Sequence, residues 1–139
     1  TTGEIVTIQK DIRDISLTDG DFDIILAAAV LHHLRTDSEW KQIFTAFHRA
    51  LAPGGSIWIF DLVDSSMPSV QGLMQQQYGE YLTRFKDEKY RDTVFASVEK
   101  EDTPRPLVFQ LDLLRTVGFS HVAVLHNNVC FADFGAVQA

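Results

Sequence analysis

The sequence predicts an α/β fold, with a mostly parallel sheet that ends in a C-terminal antiparallel hairpin. The run "FDIILAAAV" at residues 22–30 is almost continuously apolar, as in a strand covered on both faces. A helical pattern at 36–51 and a second strand pattern at 56–64 follow, which is the crossover order that parallel pairing requires. Near the C-terminus, two strand-like stretches flank Asn127 and Asn128, and asparagine tolerates the positive φ of a hairpin turn.

The composition indicates which classes of protein are compatible with this sequence. The chain has 139 residues, of which 45% are apolar and 22% charged, as in one globular domain. A net charge of −7 without a basic cluster argues against strong direct binding to nucleic acid. The single cysteine, Cys130, excludes an intrachain disulfide and is expected to be a small core residue within a strand. This cysteine usage suits a reducing cytosol, so the expected location is cytoplasmic, and no segment predicts membrane insertion.

The first half of the chain contains the most regular patterns. Residues 4–9, "EIVTIQ", alternate apolar and polar side chains and predict a short strand before the one at 22–30. Thr36 and Glu39 have capping-box spacing at the start of the following helix, whose apolar positions recur at helical intervals. The proline and glycines at 53–55 predict its end.

The second half is predicted to be mainly helical before the hairpin. Residues 67–101 have irregular helical character with many aromatic and charged side chains, and predict a helical insertion or lid. The alternative is a helix that packs Tyr78 and its apolar neighbours into a core or a dimer interface. Residues 102–119 predict a helix that stops at Gly118 and leads into a strand.

Several motifs occur in a fixed order along the chain: "DIRD", "DGDFDII…VLHHL", "LAPGGSIWIFD", "LLRTVGF" and the closing hairpin. In combination they resemble the class I S-adenosylmethionine-dependent methyltransferases, over residues 5–64 and 102–139. The resemblance implies a partial Rossmann-like sheet, S-adenosylmethionine as the cofactor, and methyl transfer as the activity. It also implies that residues 1–139 are the C-terminal part of a methyltransferase domain, with 67–101 as an insertion.

The resemblance also implies which residues border the cofactor. The Asp11 carboxylate would accept a hydrogen bond from the adenine amine, and the Ile12 backbone amide would serve a ring nitrogen. The alternative for Asp11 is that it caps a helix or turn. The turn containing His32 and His33 would cover the cofactor, and Ala28 ends the strand just before it.

Within the superfamily, "DIRDI" and "VCFADFGAVQA" resemble the carboxy-S-adenosylmethionine synthases, which feed tRNA wobble-uridine modification. Those enzymes use an arginine on the last helix and an asparagine at the end of the fourth strand. The matching positions here are Leu113 and Ala28, and Arg115 would point elsewhere on the helix. Plain methyl transfer to a small molecule or a tRNA-linked acceptor is therefore favoured over carboxymethyl chemistry.

The family's glycine-rich loop and the acidic end of its second strand have no counterpart in the sequence. We therefore expect a truncated part of a larger enzyme that binds the cofactor poorly alone. The strand at 22–29 would expose an edge unless a second copy covers it, so a homodimer, or a non-catalytic self-associating module, is the alternative.

The remaining polar candidates are less specific. Adjacent histidines at a helix start diverge by roughly 100°, so His32 and His33 are not expected to share a metal ion, and no metal site is predicted. Either could act as a general base, but a sulfonium is already an activated leaving group, and no catalytic residue is assigned. Asp61 and Asp64, at a strand's carboxyl end, and Tyr78 are substrate-binding candidates; the alternative for both aspartates is a solvated loop.

Overall fold

The computed structural model describes residues 2–139 and contains a four-stranded sheet with the strand order β1-β2-β4-β3. Two 3-10 turns, Ile12–Asp14 and Leu31–His33, accompany the regular elements. The helices and strands are, in chain order, β1 Phe22–Ala28, α1 Asp37–Ala50, β2 Leu51–Leu62, α2 Pro68–Phe85, α3 Glu88–Glu101, α4 Leu107–Val117, β3 His121–Asn128 and β4 Phe131–Val137.

The sheet is mixed, with one parallel and two antiparallel pairings. β1 runs parallel to β2, with Ala27 opposite Ile59. β4 lies antiparallel to β2 and to β3, with Phe134 opposite Ile59. The predicted α/β fold is confirmed, including the crossover helix between parallel strands and the terminal hairpin, but within the described residues the sheet is mixed and not mostly parallel, because the hairpin forms two of its three pairings.

One face of the sheet forms the core with α1 and α4. Trp40, Phe44 and Leu114 are fully buried there, against the inward side chains of β2 and β4. The predicted capping box starts α1: Glu39 N donates to Thr36 Oγ1 at 3.2 Å, and Thr36 N donates to the Glu39 carboxylate at 3.0 Å. Packing on this apolar face positions β1 and β2. Because the two strands are parallel, their carboxyl ends lie side by side at one edge of the sheet.

The strand predicted at residues 4–9 is wrong, because this segment joins no sheet within the described residues. Ile5 is 92% exposed, and Val6 and Ile8 are also exposed. An alternating pattern supplies one apolar face but not a neighbouring strand, and a strand without backbone partners is not stable.

The turn of the terminal hairpin lies two residues later than predicted. Asn127 and Asn128 pair with Ala132 and Phe131, and the turn is formed by Val129, which has a φ of 57°, and Cys130. Cys130 is therefore in the turn and not in mid-strand. It is nevertheless buried, its carbonyl accepts a hydrogen bond from Val63 N at 2.8 Å, and burial raises the pKa of its thiol to about 11.

The position of this turn is explained by packing. The ring of Phe131 stacks on Phe60 with centroids 5.7 Å apart and meets Tyr78 edge-on at 5.5 Å. These contacts and the bond from Val63 to Cys130 fix the register of β4. Packing therefore outweighs the local preference for asparagine at positive φ.

The opposite side of β1 is bare. Ile24 and Leu26 project from the face away from α1 and are 60% and 75% exposed. Within the described residues, only one edge of β1 is paired, to β2. In the same part of the chain, no helix combines the length and apolar character needed to cross a bilayer.

Candidate functional site at the carboxyl ends of β1 and β2

The candidate site begins where β1 stops. Ala28 is its last residue, and Ala29 follows with a φ of 51°, in the left-handed region that non-glycine residues rarely occupy. Ala29 N donates to Phe60 O at 2.8 Å, which anchors this sharp turn to β2. Strained backbone of this kind clusters at functional sites, and here it leads directly into the turn Leu31–His33.

Asp61 organises that turn from inside the protein. Its side chain is fully buried, and its carboxylate accepts hydrogen bonds from Leu31 N at 2.7 Å, His32 N at 3.2 Å and Leu62 N at 2.8 Å. It also receives a short hydrogen bond from His32 Nδ1. The solvated-loop interpretation of Asp61 is therefore wrong, and its carboxylate acts through the residues it positions.

The bond to Asp61 determines what the His32 ring can do. With Nδ1 donating to the carboxylate, Nε2 is the nitrogen with a free lone pair, available to accept a proton or to bind an electrophile. Burial by itself lowers the pKa of His32. The hydrogen bond and the negative charges of Asp61 and Asp102 outweigh burial, so that the pKa lies above its ordinary value.

The two histidines meet a third group, Asp102, just after α3. His33 Nδ1 lies 2.9 Å from Asp102 Oδ1, and His32 Nε2 lies 3.8 Å from the same oxygen. The ring centroids of the two histidines are 4.2 Å apart. The expected divergence of adjacent histidines is therefore wrong, because the 3-10 turn and the common partner bring both rings to one side.

Backbone contacts fasten the segment after α3 to this turn. Thr103 N donates to His32 O at 2.7 Å. Arg35 adds contacts to Thr103 Oγ1 at 3.0 Å and to the carbonyls of Asp102 and Lys100 at 3.3 Å. The position of Asp102 is thus set by several hydrogen bonds and not by its own side chain alone.

A cavity of about 490 Å³ opens beside this cluster. Two of the predicted substrate residues, Asp64 and Tyr78, line it, together with Asp102. Within the described residues, Asp64 Oδ1 is buried without a hydrogen-bond partner, and burial raises the pKa of Asp64 despite the charge of Arg105. Burial likewise raises the pKa of Tyr78. The cavity therefore combines aromatic surface with one carboxylate, that of Asp64, whose ionisation is made costly by burial.

Asp11 and Ile12 lie at the start of the other 3-10 turn. Asp11 caps the turn Ile12–Asp14 by accepting a hydrogen bond from Arg13 N at 2.9 Å, and it also pairs with the Arg13 guanidinium at 2.7 Å. This pairing holds the pKa of Asp11 well below its usual range. The capping alternative is what the structure shows, while contact with adenine stays a prediction. Ile12 packs partly against the core.

Sequence reasoning missed Asp102, Arg35 and Ala29. Asp102 is separated from the histidines by the whole of α1, β2, α2 and α3, so no local pattern connects them. Ala29 carries an unusual backbone angle that the repetitive run "AAA" conceals. Only the placement of the histidines at a strand's carboxyl end indicated that a site lies here.

Comparison with known proteins gives a consistent result. A family model described as "Methyltransferase domain" matches residues 1–59. An uncharacterized methyltransferase of Synechocystis is 36% identical over 62 residues, which are 45% of this chain and 27% of that protein. The chain thus spans about a quarter of the length of this curated relative.

Solved structures share the fold at low identity. Human N-acetylserotonin methyltransferase, in complex with S-adenosylmethionine, matches 95% of this chain and 33% of its own, with a TM-score of 0.61 and 18% identity. A phosphoethanolamine N-methyltransferase of Haemonchus contortus matches 92% and 36%, with a TM-score of 0.57 and 13% identity. An O-methyltransferase family protein of Burkholderia thailandensis matches 86% and 31%, with a TM-score of 0.58 and 12% identity.

Each of these structures is more than twice as long as the part that this chain matches. At such identities they show the fold, whereas the family model and the curated relative supply similarity in sequence. Residues 1–59 are thus similar in sequence to the methyltransferase domain family, and the chain shares its fold with solved methyltransferases.

Proposed function

We propose that this chain is the C-terminal part of an S-adenosylmethionine-dependent methyltransferase, and that the carboxyl ends of β1 and β2 form its share of the cofactor and acceptor site. One observation carries the proposal: a histidine turn, fixed by the buried Asp61, contacts Asp102, and Asp102 lines a cavity at the edge where open α/β sheets bind ligands. We place the parent enzyme in the cytoplasm and expect a small-molecule or tRNA-linked acceptor.

S-adenosylmethionine is the cofactor that we propose, on the basis of the family match and of the human structure that contains it. Asp11 and Ile12 would border the adenine, and Ala28 and the histidine turn would cover the rest of the molecule. When bound, the cofactor supplies an activated methyl group, so the protein's task is chiefly to align the acceptor and exclude water.

The cavity lined by Asp64 and Tyr78 is our candidate for the acceptor side. α2 and α3 form most of its wall, which supports the role of a lid for residues 67–101. Aromatic surface would contact the body of the acceptor, and the unpartnered Asp64 oxygen would receive a hydrogen bond from a polar group on it.

A carboxy-S-adenosylmethionine synthase is the less favoured enzymatic alternative. That chemistry needs a cation to bind the extra carboxylate. At the matching position Leu113 is buried in the core, and Arg115 lies on the exposed side of α4, paired with Asp112 at 2.8 Å. Methyl transfer requires neither residue.

A second candidate function is self-association. The unpaired edge of β1 and its exposed Ile24 and Leu26 form a surface that soluble proteins usually cover. In the proposed parent enzyme, the remaining part of the methyltransferase domain would cover this surface. In the chain by itself, a second copy could do so as a homodimer.

Calorimetric titration of S-adenosylhomocysteine into the proposed longer protein tests the function. We expect saturable binding in the micromolar range, weakened by Asp11→Asn. Asp14→Asn, in the same 3-10 turn, is the matched control and should leave the affinity unchanged. If the longer protein shows no binding heat, or if the two variants behave alike, the proposed cofactor site is refuted.

A further inference from the structure

We propose that His32, His33 and Asp102 form a binding site for a divalent cation of the zinc class. The three side chains offer one ligand atom each, and these atoms all lie within 4.8 Å of one another. This inference goes beyond methyl transfer and does not depend on it, because it rests only on the position of three side chains.

The distances suit a tetrahedral ion. Zinc binds imidazole nitrogen and carboxylate oxygen at about 2.0–2.2 Å, which separates neighbouring ligand atoms by roughly 3.3–3.5 Å. The observed separations from Asp102 Oδ1 are 2.9 Å to His33 Nδ1 and 3.8 Å to His32 Nε2. Both separations lie close to this spacing, and the two histidine nitrogens are no more than 4.8 Å apart, so side-chain adjustments would bring the three atoms around one ion.

Asp61 supplies the outer support that such sites require. A metal-binding histidine usually donates its second ring nitrogen to a carboxylate, which fixes the ring and the tautomer. His32 does so through Nδ1, and the accepting Asp61 is fully buried and held by three backbone amides. The nitrogen left with a lone pair, Nε2, is the one near Asp102.

The scaffold is also suitable for binding. His32 and His33 come from one short turn, and Asp102 comes from a segment that the bonds of Thr103 and Arg35 attach to that turn. Preorganised ligands reduce the ordering cost of binding. Three protein ligands leave a fourth position of a tetrahedral ion open for water or an exogenous oxygen.

The ligand types distinguish among cations. Two imidazoles and one carboxylate suit zinc and its neighbours in the first transition row, whereas calcium and magnesium prefer sites built from oxygen alone. Asp102 also lines the 490 Å³ cavity, so an ion at this cluster would lie at the cavity's edge.

Titration of Co²⁺ into the full chain, without any S-adenosyl compound, tests the site directly. We expect a saturable visible absorption band that equimolar Zn²⁺ abolishes by displacement. His33→Ala should weaken binding by at least about tenfold. His33 is exposed, so this substitution leaves the core intact. His121→Ala, also exposed but on β3, is the matched control and should bind as the unchanged chain does.

A second variant distinguishes the loss of a metal ligand from a loss of folded structure. Asp102→Asn keeps the size of the side chain while removing a charged ligand, and we expect the cobalt band to weaken while the far-ultraviolet circular dichroism is retained. An absence of saturable cobalt absorption in the folded chain would overturn the proposal. Equal binding by His33→Ala and His121→Ala would overturn it too.

Discussion

Asp61 connects the end of β2 to the turn that follows β1. Its carboxylate accepts four hydrogen bonds while its side chain is excluded from solvent. A buried carboxylate is costly unless donors satisfy it, and here the donors belong to the very turn that carries the histidines. The stability of the fold and the geometry of the candidate site therefore depend on the same side chain.

Asp61→Asn should lower the free energy of unfolding by about 2–4 kcal/mol. The amide has nearly the same volume, but its NH₂ group would face backbone donors or His32 Nδ1, where an acceptor is needed. Urea denaturation measures the loss. Asp19→Asn removes one partner of the exposed ion pair with Arg49 and should change stability little. Equal effects of the two substitutions would contradict the anchoring role of Asp61.

For single residues, the sequence predicts which side chains lie near the site, but it does not predict which of them contact each other. The position of His32 and His33 after an apolar strand indicated a site at its carboxyl end. Their meeting with Asp102 could not be predicted, since it depends on how α3 returns to the sheet. The turn at Val129 was missed for a similar reason: the stacking of Phe131, and not local preference, sets the register.

At the scale of the elements, β4 packs closely against β2 at Gly135. It lies between β2 and β3, and its Gly135 stands opposite Trp58. A Cβ at Gly135 would collide with the carbonyl oxygen of Ile57 and come within 3.0 Å of the Trp58 ring. The glycine is therefore required by packing, because larger side chains would force β2 and β4 apart.

Gly135→Ala should destabilise the fold by about 3 kcal/mol, since both colliding groups belong to the sheet. Gly72→Ala is the matched control: Gly72 lies within α2, and a Cβ there meets nothing within 4 Å. Alanine in a helix interior should stabilise by about 0.5–1 kcal/mol. Thermal melting compares the two variants, and a harmless Gly135→Ala would show that β2 and β4 lie farther apart than described.

Helices were more predictable than strands for a physical reason. The capping box at Thr36 and the left-handed Gly118 at the end of α4 are local signals, and both are found where the sequence placed them. A strand depends on its neighbours, so the alternating pattern at residues 4–9 gave a wrong prediction. The apolar run that became β1 was correctly identified because a parallel partner, β2, lies within the chain.

At the scale of the whole molecule, the uncovered side of β1 is the surface that lacks a packing partner within the described residues. Its unpaired edge and the exposed Ile24 and Leu26 are unusual for an interior-type strand. The matched solved structures are about three times as long as the part in common, which is 33% and 36% of their chains. We propose that the remaining part of the domain covers β1 and completes the cofactor pocket beside the histidine turn.

Hydrogen–deuterium exchange of the proposed longer protein, with and without S-adenosylhomocysteine, tests this account most directly. We expect the ligand to slow exchange at residues 11–14 and 28–33, whereas exchange at residues 121–125 of the edge strand β3 should stay unchanged. If saturating ligand leaves exchange at residues 11–14 and 28–33 unchanged, the result contradicts the proposed function, because both turns would then lie outside the cofactor site.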